Sequence, residues 1–170
     1  AAKRELTEET NVKDVFMMQL GTYGDVKRDP RGRVISVAYL AFISPEQELM
    51  STADAMGAEW RSVDDLPELA FDHNSIIKDA QKQLMYEMQT TNIAVQILPN
   101  KFTLSQLQHL YELVLKKELD KRNFRKRIKE LDILKETKET AMEGAHRPAR
   151  LYSFKDKGYK TLKDKLHVFT

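Results

Sequence analysis

The chain has 170 residues, 41% of them hydrophobic and 32% charged, and no cysteine. That balance describes a folded chain long enough to bury a core without staples. The lack of thiols excludes a disulfide scaffold, a cysteine nucleophile and a thiolate zinc site. The longest unbroken apolar run, Val37–Ile43, falls far short of the roughly 20 residues of a membrane helix. The opening residues show no signal-peptide pattern, so a cytoplasmic location and no membrane partner are expected.

The net charge of +2 hides an asymmetry. Residues 1–90 hold 10 Lys and Arg against 16 Asp and Glu, whereas residues 91–170 hold 18 against 10. Such a dipolar chain points to two modules with different partners: a basic one for a polyanion and an acidic one for a metal ion or a neutral ligand.

Ala1–Thr10 reads as a helix with no N-cap in front of it, as if a segment preceded it, and Asn11 is suited to a left-handed C-cap. Val15–Leu20 reads as a strand, Gly21–Arg33 as a polar loop, Val34–Ile43 as a second strand. A short strand is expected at Glu59–Arg61 around the single Trp60, then a turn at Asp64–Pro67. Ile76, Ile77, Ala80, Leu84 and Met88 recur at helical spacing and predict a helix over Asn74–Glu87. A boundary is expected near Met88–Pro99, giving domains 1–88 and 89–170. Beyond it, Thr103 is an N-cap for a helix over Leu104–Leu115, and Asp120 for another over Lys121–Leu131. Strands are expected at Ile133–Lys138 and Arg150–Phe154, with a basic loop between them.

Helix, turn, basic helix, strand, basic loop, strand is the order of a winged helix-turn-helix. Such a domain reads DNA by showing cationic and amide side chains on its second helix while the opposite face packs inward. Lys121, Arg122, Asn123, Arg125, Lys126 and Lys129 supply those groups. His146, Arg147 and Arg150 would flank the duplex backbone from the wing. A basic, solvated helix in a protein-binding winged helix is the alternative.

In the acidic half, Glu5, Glu8 and Glu9 stand at i, i+3 and i+4, which places them on one helical face: either a solvated face, or one where a hard divalent cation such as Mg²⁺ would relieve their repulsion. The run R-E-L-T-E-E-T-N-V resembles the second half of a Nudix box: Arg4, Glu5, Leu6, Glu8, Glu9 and Val12 match, and Asn11 replaces the family's Gly. Tyr23–Asp25 and Arg28–Ser36 resemble the loop and strand that follow the box in ADP-ribose-type members. Trp60, Leu66-Pro67 and Phe71–His73 resemble the end of that domain. Leu98-Pro99, Phe102–Gln108 and Lys121–Arg127 look like the winged-helix half of the Nudix-related transcriptional regulators.

The resemblance implies an α+β chain, with a Nudix-type α/β/α sandwich of mixed sheet (lacking its N-terminal part) followed by a winged helix-turn-helix. It further implies a homodimeric regulator that binds operator DNA and senses ADP-ribose or a sugar such as arabinose. Glu5, Glu8 and Glu9 would be the metal and catalytic cluster of active relatives, with Mg²⁺ as cofactor. The ligand mouth would be the Tyr23–Arg33 loop, with Tyr23, Arg28, Arg31 and Arg33 as contacts. The alternative function is a Mg²⁺-dependent Nudix hydrolase of ADP-ribose or a related nucleoside diphosphate.

Overall fold

The computed structural model describes residues 1–13, 15–43, 59–142 and 148–162. The chain divides into two compact units, Ala1–Gln83 and Leu84–Thr170.

The first unit opens with α1 (Ala2–Thr10). No side chain caps its start; Asn11 ends it at φ 57°, ψ 13°, its amide donating to the Thr7 carbonyl at 2.9 Å. Asn reaches this left-handed conformation at low cost, which is why it can stand where Gly is usual. Val12 follows, 1% exposed, and anchors the helix end in the core. Strands β1 (Phe16–Tyr23) and β2 (Ser36–Phe42) pair antiparallel, from Phe16 opposite Phe42 to Tyr23 opposite Ser36, with a bulge between Gln19 and Gly21. The strand therefore runs past Leu20 and takes in Gly21–Tyr23, which the composition assigns to the loop: a bulge absorbs the glycine and pairing resumes. Glu59–Arg61 forms no strand, and Trp60 is 63% exposed. With no cross-strand partner among the described residues, an aromatic flanked by charged residues gains nothing from extended pairing. Helix α2 (His73–Thr90) carries the chain from the first unit into the second.

The second unit begins with the end of α2 and a 3-10 turn at Ile93–Gln96. Strand β3 (Phe102–Thr103) leads into α3 (Leu104–Leu115), then α4 (Lys121–Leu131), β4 (Leu134–Ala141) and β5 (Ala149–Phe154). The sheet order is β3-β5-β4, antiparallel throughout. Thr103 and Gln106 form a reciprocal capping box at the start of α3, which satisfies two otherwise orphaned backbone donors. Phe102, Leu107, Tyr111, Phe124, Ile128, Leu131 and Phe154 make the core. Within it Tyr111 meets Phe124 edge-on at 5.7 Å and Phe102 meets Phe154 at 5.0 Å.

The chain after β5 returns to the end of α2. The Asn92 side chain donates to the Gly158 carbonyl at 2.8 Å and accepts from the Lys160 amide at 2.6 Å. The Leu162 amide donates to Thr90 at 2.8 Å, and the Tyr159 hydroxyl donates to the buried Glu87 carboxylate at 2.8 Å.

Candidate functional sites

On α1, Glu5, Glu8 and Glu9 are all exposed, and Glu8 lies 3.5 Å from Arg4. Among the described residues no group of three or more His, Asp or Glu side chains could hold a metal ion. The described carboxylates do not by themselves fit a resident Mg²⁺.

The Tyr23–Arg33 loop is tied to the start of α2. Arg28 donates from Nε and Nη2 to the two carboxylate oxygens of Asp72, both at 2.8 Å, and from Nη1 to Ser36 Oγ at 2.8 Å. Its side chain is only 5% exposed. The planar guanidinium fork suits this bidentate geometry, and a lysine could not reproduce it. Hydrogen bonding from Arg28 holds the Asp72 carboxyl below the usual carboxylate range. Arg28 therefore acts as a brace, with all three nitrogens engaged inside the protein.

Beside it, Asp29 is buried and accepts from Nε and Nη2 of Arg31 at 3.0 and 2.8 Å, and from the Arg31 amide at 2.9 Å. Hydrogen bonds from the Arg31 side chain and backbone lower its pKa to about 2. The Arg31 guanidinium remains largely exposed and lies 4.9 Å from the centre of the Phe71 ring, a cation–π distance. Phe71 sits at φ 57°, costly for a bulky residue. The Phe71 ring also meets the His73 ring edge-on, with centroids 5.9 Å apart. Tyr23 donates to Asp79 at 3.3 Å, and burial followed by the Asp79 charge raises its pKa. Arg33 is exposed. The loop thus presents Arg31 and Arg33 outward, with Phe71 as a flat apolar partner.

Pattern and structure agree closely in the basic half. Phe124, Ile128 and Leu131 are buried along one face of α4, while Lys121, Arg122, Asn123, Arg125, Lys126 and Lys129 are all exposed. Arg127 is exposed as well and shares a flank with Asn123. It belongs with the candidate residues, although the sequence reading takes it up only within a motif. The Asp120 side chain caps the helix by accepting from the Asn123 amide at 2.7 Å. Lys121 and Arg122 occupy the first turn, which contains no acidic residue. Cations are disfavoured at the positive end of a helix dipole unless an anion sits nearby, and the Asp120 carboxylate at the N-cap is such an anion. Glu112 ties the turn after α3 back to that helix: its Oε1 accepts from Gln108 at 2.9 Å and from the Leu119 amide at 3.0 Å. These bonds, Gln108 first, lower its pKa.

At the wing, Arg150 is exposed and ion-paired with Glu136, to which Tyr152 also donates at 3.3 Å. His146 and Arg147 lie outside the described residues. No described helix is long and apolar enough to cross a membrane.

Two family models match in chain order: the NUDIX domain over residues 1–80 and the NrtR DNA-binding winged helix domain over residues 94–154. The chain is 33% identical over 155 residues to an ADPR-responsive transcriptional repressor, NtrR, of Acinetobacter baylyi, matching 90% of this chain and 62% of that protein. It is 43% identical over 79 residues to an ADP-ribose pyrophosphatase of Methanocaldococcus jannaschii, covering 46% of each. It therefore spans less than two thirds of these relatives. Among solved structures it resembles Shewanella oneidensis NrtR complexed with a 27mer DNA, with a TM-score of 0.70 at 32% identity over 90% of this chain and 70% of that one. It also resembles a MutT/nudix family protein from Enterococcus faecalis, with a TM-score of 0.65 at 25% identity over 90% of this chain and 66% of that one. With both domains matched in this order and this likeness over most of its length, the chain belongs to the Nudix-related transcriptional regulators, in which a Nudix domain precedes a winged helix.

Proposed function

We propose that the protein is a transcriptional regulator whose winged helix binds operator DNA and whose Nudix unit senses an ADP-ribose-type metabolite. The observation that carries this reading is α4: it buries Phe124, Ile128 and Leu131 and turns its cationic residues and Asn123 outward. Phosphate contacts from Lys and Arg would set register and affinity, and Arg or Asn would read base edges. The DNA-bound state of the Shewanella neighbour supports the partner. ADP-ribose in the names of both curated relatives favours it over arabinose as effector. On the sensor side, Arg31 and Arg33 are suited to a diphosphate and Phe71 to the flat face of a base.

In this reading the regulator works as a homodimer in the cytoplasm, with half-sites spaced by about one helical turn or a multiple of it. The test is binding of the full chain to a duplex from its own upstream region, with and without ADP-ribose. Specific binding that ADP-ribose changes supports the proposal; no affinity at low salt overturns it.

A second reading is hydrolysis of ADP-ribose, favoured by the 43% identity of the Nudix half to a pyrophosphatase. Phosphate-product release from ADP-ribose with added Mg²⁺ tests it, and loss of release on substituting Glu5, Glu8 and Glu9 would place the activity there.

A further inference from the structure

The winged-helix unit contains a second basic site, away from α4. The register pairs Lys135 with Ser153 and Glu136 with Tyr152. Side chains alternate across a sheet, so Lys135 and Ser153 share one face and Glu136 and Tyr152 the other. Glu136 and Tyr152 line a cleft with Arg125 and Lys129 of α4. Lys135 and Ser153 instead line a cavity of about 360 Å³ with Gln96, Asn100, Lys101 and Lys157.

No described carboxylate lines this cavity. Lys101 is ion-paired with Glu139 at 2.6 Å, and Lys157 donates to Asn100 at 2.7 Å. Lys135 makes no ion pair among the described residues. The Ser153 hydroxyl oxygen is buried without a hydrogen-bond partner. Buried hydroxyls are almost always satisfied, so an orphan of this kind calls for a partner. A hydroxyl that can donate, beside the ammonium groups of Lys135 and Lys157 and the Lys101 ammonium paired with Glu139, is a donor set for phosphate oxygens.

We infer that this cavity binds the phosphate or diphosphate group of a small molecule. The anion would sit between Lys135, Lys157 and Lys101, with Ser153 donating to one of its oxygens. The cavity is concave and lies on the sheet face opposite α4, so a free anion suits it better than a duplex held on α4. Its other wall is the 95–101 segment, which leads from α2 into the winged helix, and Gln96 already donates to the Lys157 carbonyl at 3.3 Å. An anion there would brace that segment against β4 and β5. The inference is independent of the DNA reading, since it concerns residues that reading does not use.

The experiment is a titration of the full chain with inorganic pyrophosphate, followed by amide NMR shifts and matched by a sodium chloride series of equal ionic strength. Saturable shifts at Lys101, Lys135, Ser153 and Lys157, absent from the chloride series, are the expected result. The double variant Lys135→Gln, Lys157→Gln should weaken this binding by about tenfold or more, while its melting curve shows that it still folds. The Ser153→Ala variant should weaken it less and leave the charge unchanged. A parallel titration with unrelated duplex DNA separates the sources of phosphate. Shifts at these four residues with duplex and not with pyrophosphate overturn the small-molecule site, as do pyrophosphate shifts confined to α4 or no saturable shift.

Discussion

Arg28 grips both carboxylate oxygens of Asp72, a residue 44 positions further along the chain, and so locks the loop after β1 to the residue that leads into α2. With Arg28 Nη1 also held by Ser36 on β2, one buried side chain ties together three parts of the first unit. Replacing Arg28 with Lys keeps the charge but loses the fork, and the Asp72→Asn variant keeps the shape but loses the charge. Both should lower the melting temperature of the first unit by several degrees and leave the second unit's core intact. Differential scanning calorimetry of the full chain measures this.

The same loop should be acid-sensitive in a defined window. Asp29 and Asp72 both have depressed pKa values, Asp29 at about 2. A depressed carboxyl contributes stability above its unfolded pKa, near 4, and loses it as pH falls through the folded value. The first unit should thus be insensitive to these groups at neutral pH and lose stability between about pH 4 and pH 2. An Asp29→Asn variant, measured by urea unfolding across that range, should show a smaller loss.

How far the sequence reveals this structure depends on the distance over which each feature is encoded. The Asn11, Thr103 and Asp120 caps are local, because one side chain meets backbone a few residues away, and all three lie where their residue types place them. The faces of α4 are equally legible, since helical periodicity alone separates Phe124 and Ile128 from Arg125 and Lys126. Glu59–Arg61 misleads because residue type imitates a strand and only a pairing partner makes one. The bulge that carries β1 through Gly21 depends on β2. The Arg28–Asp72 clamp and the Asn92 bonds to Gly158 and Lys160 join residues 44 to 68 apart, and a single sequence gives no sign of such pairings.

The two faces of α4 should separate stability from recognition. Phe124→Ala removes a ring packed on Tyr111 and should cost about 3–5 kcal/mol, read from chemical unfolding of the second unit. Lys126→Ala, on the exposed face, should change stability little. It should weaken DNA binding across all sequences and reduce the salt slope by about 1. Arg122→Ala and Asn123→Ala, near the helix start, should also relax sequence preference.

At the wing, Glu136 neutralises Arg150. The Glu136→Gln variant releases that guanidinium and removes a negative charge, so duplex affinity should rise, most at low salt where screening is weakest. The Arg150→Ala variant leaves the Glu136 charge unneutralised, so it should lower duplex affinity in the wild-type background and cancel the gain in the Glu136→Gln background. A double-mutant cycle of duplex affinities measures the coupling.

The most direct test of the regulator reading is fluorescence anisotropy of the full chain on a labelled duplex from its own upstream region, across a salt series, with and without ADP-ribose. The account predicts sequence-preferring binding that falls linearly on a log–log salt plot, as counterion release requires, and an affinity that shifts when ADP-ribose is added. Binding that is absent at low salt, or that is equal on unrelated duplex and indifferent to ADP-ribose, would contradict it.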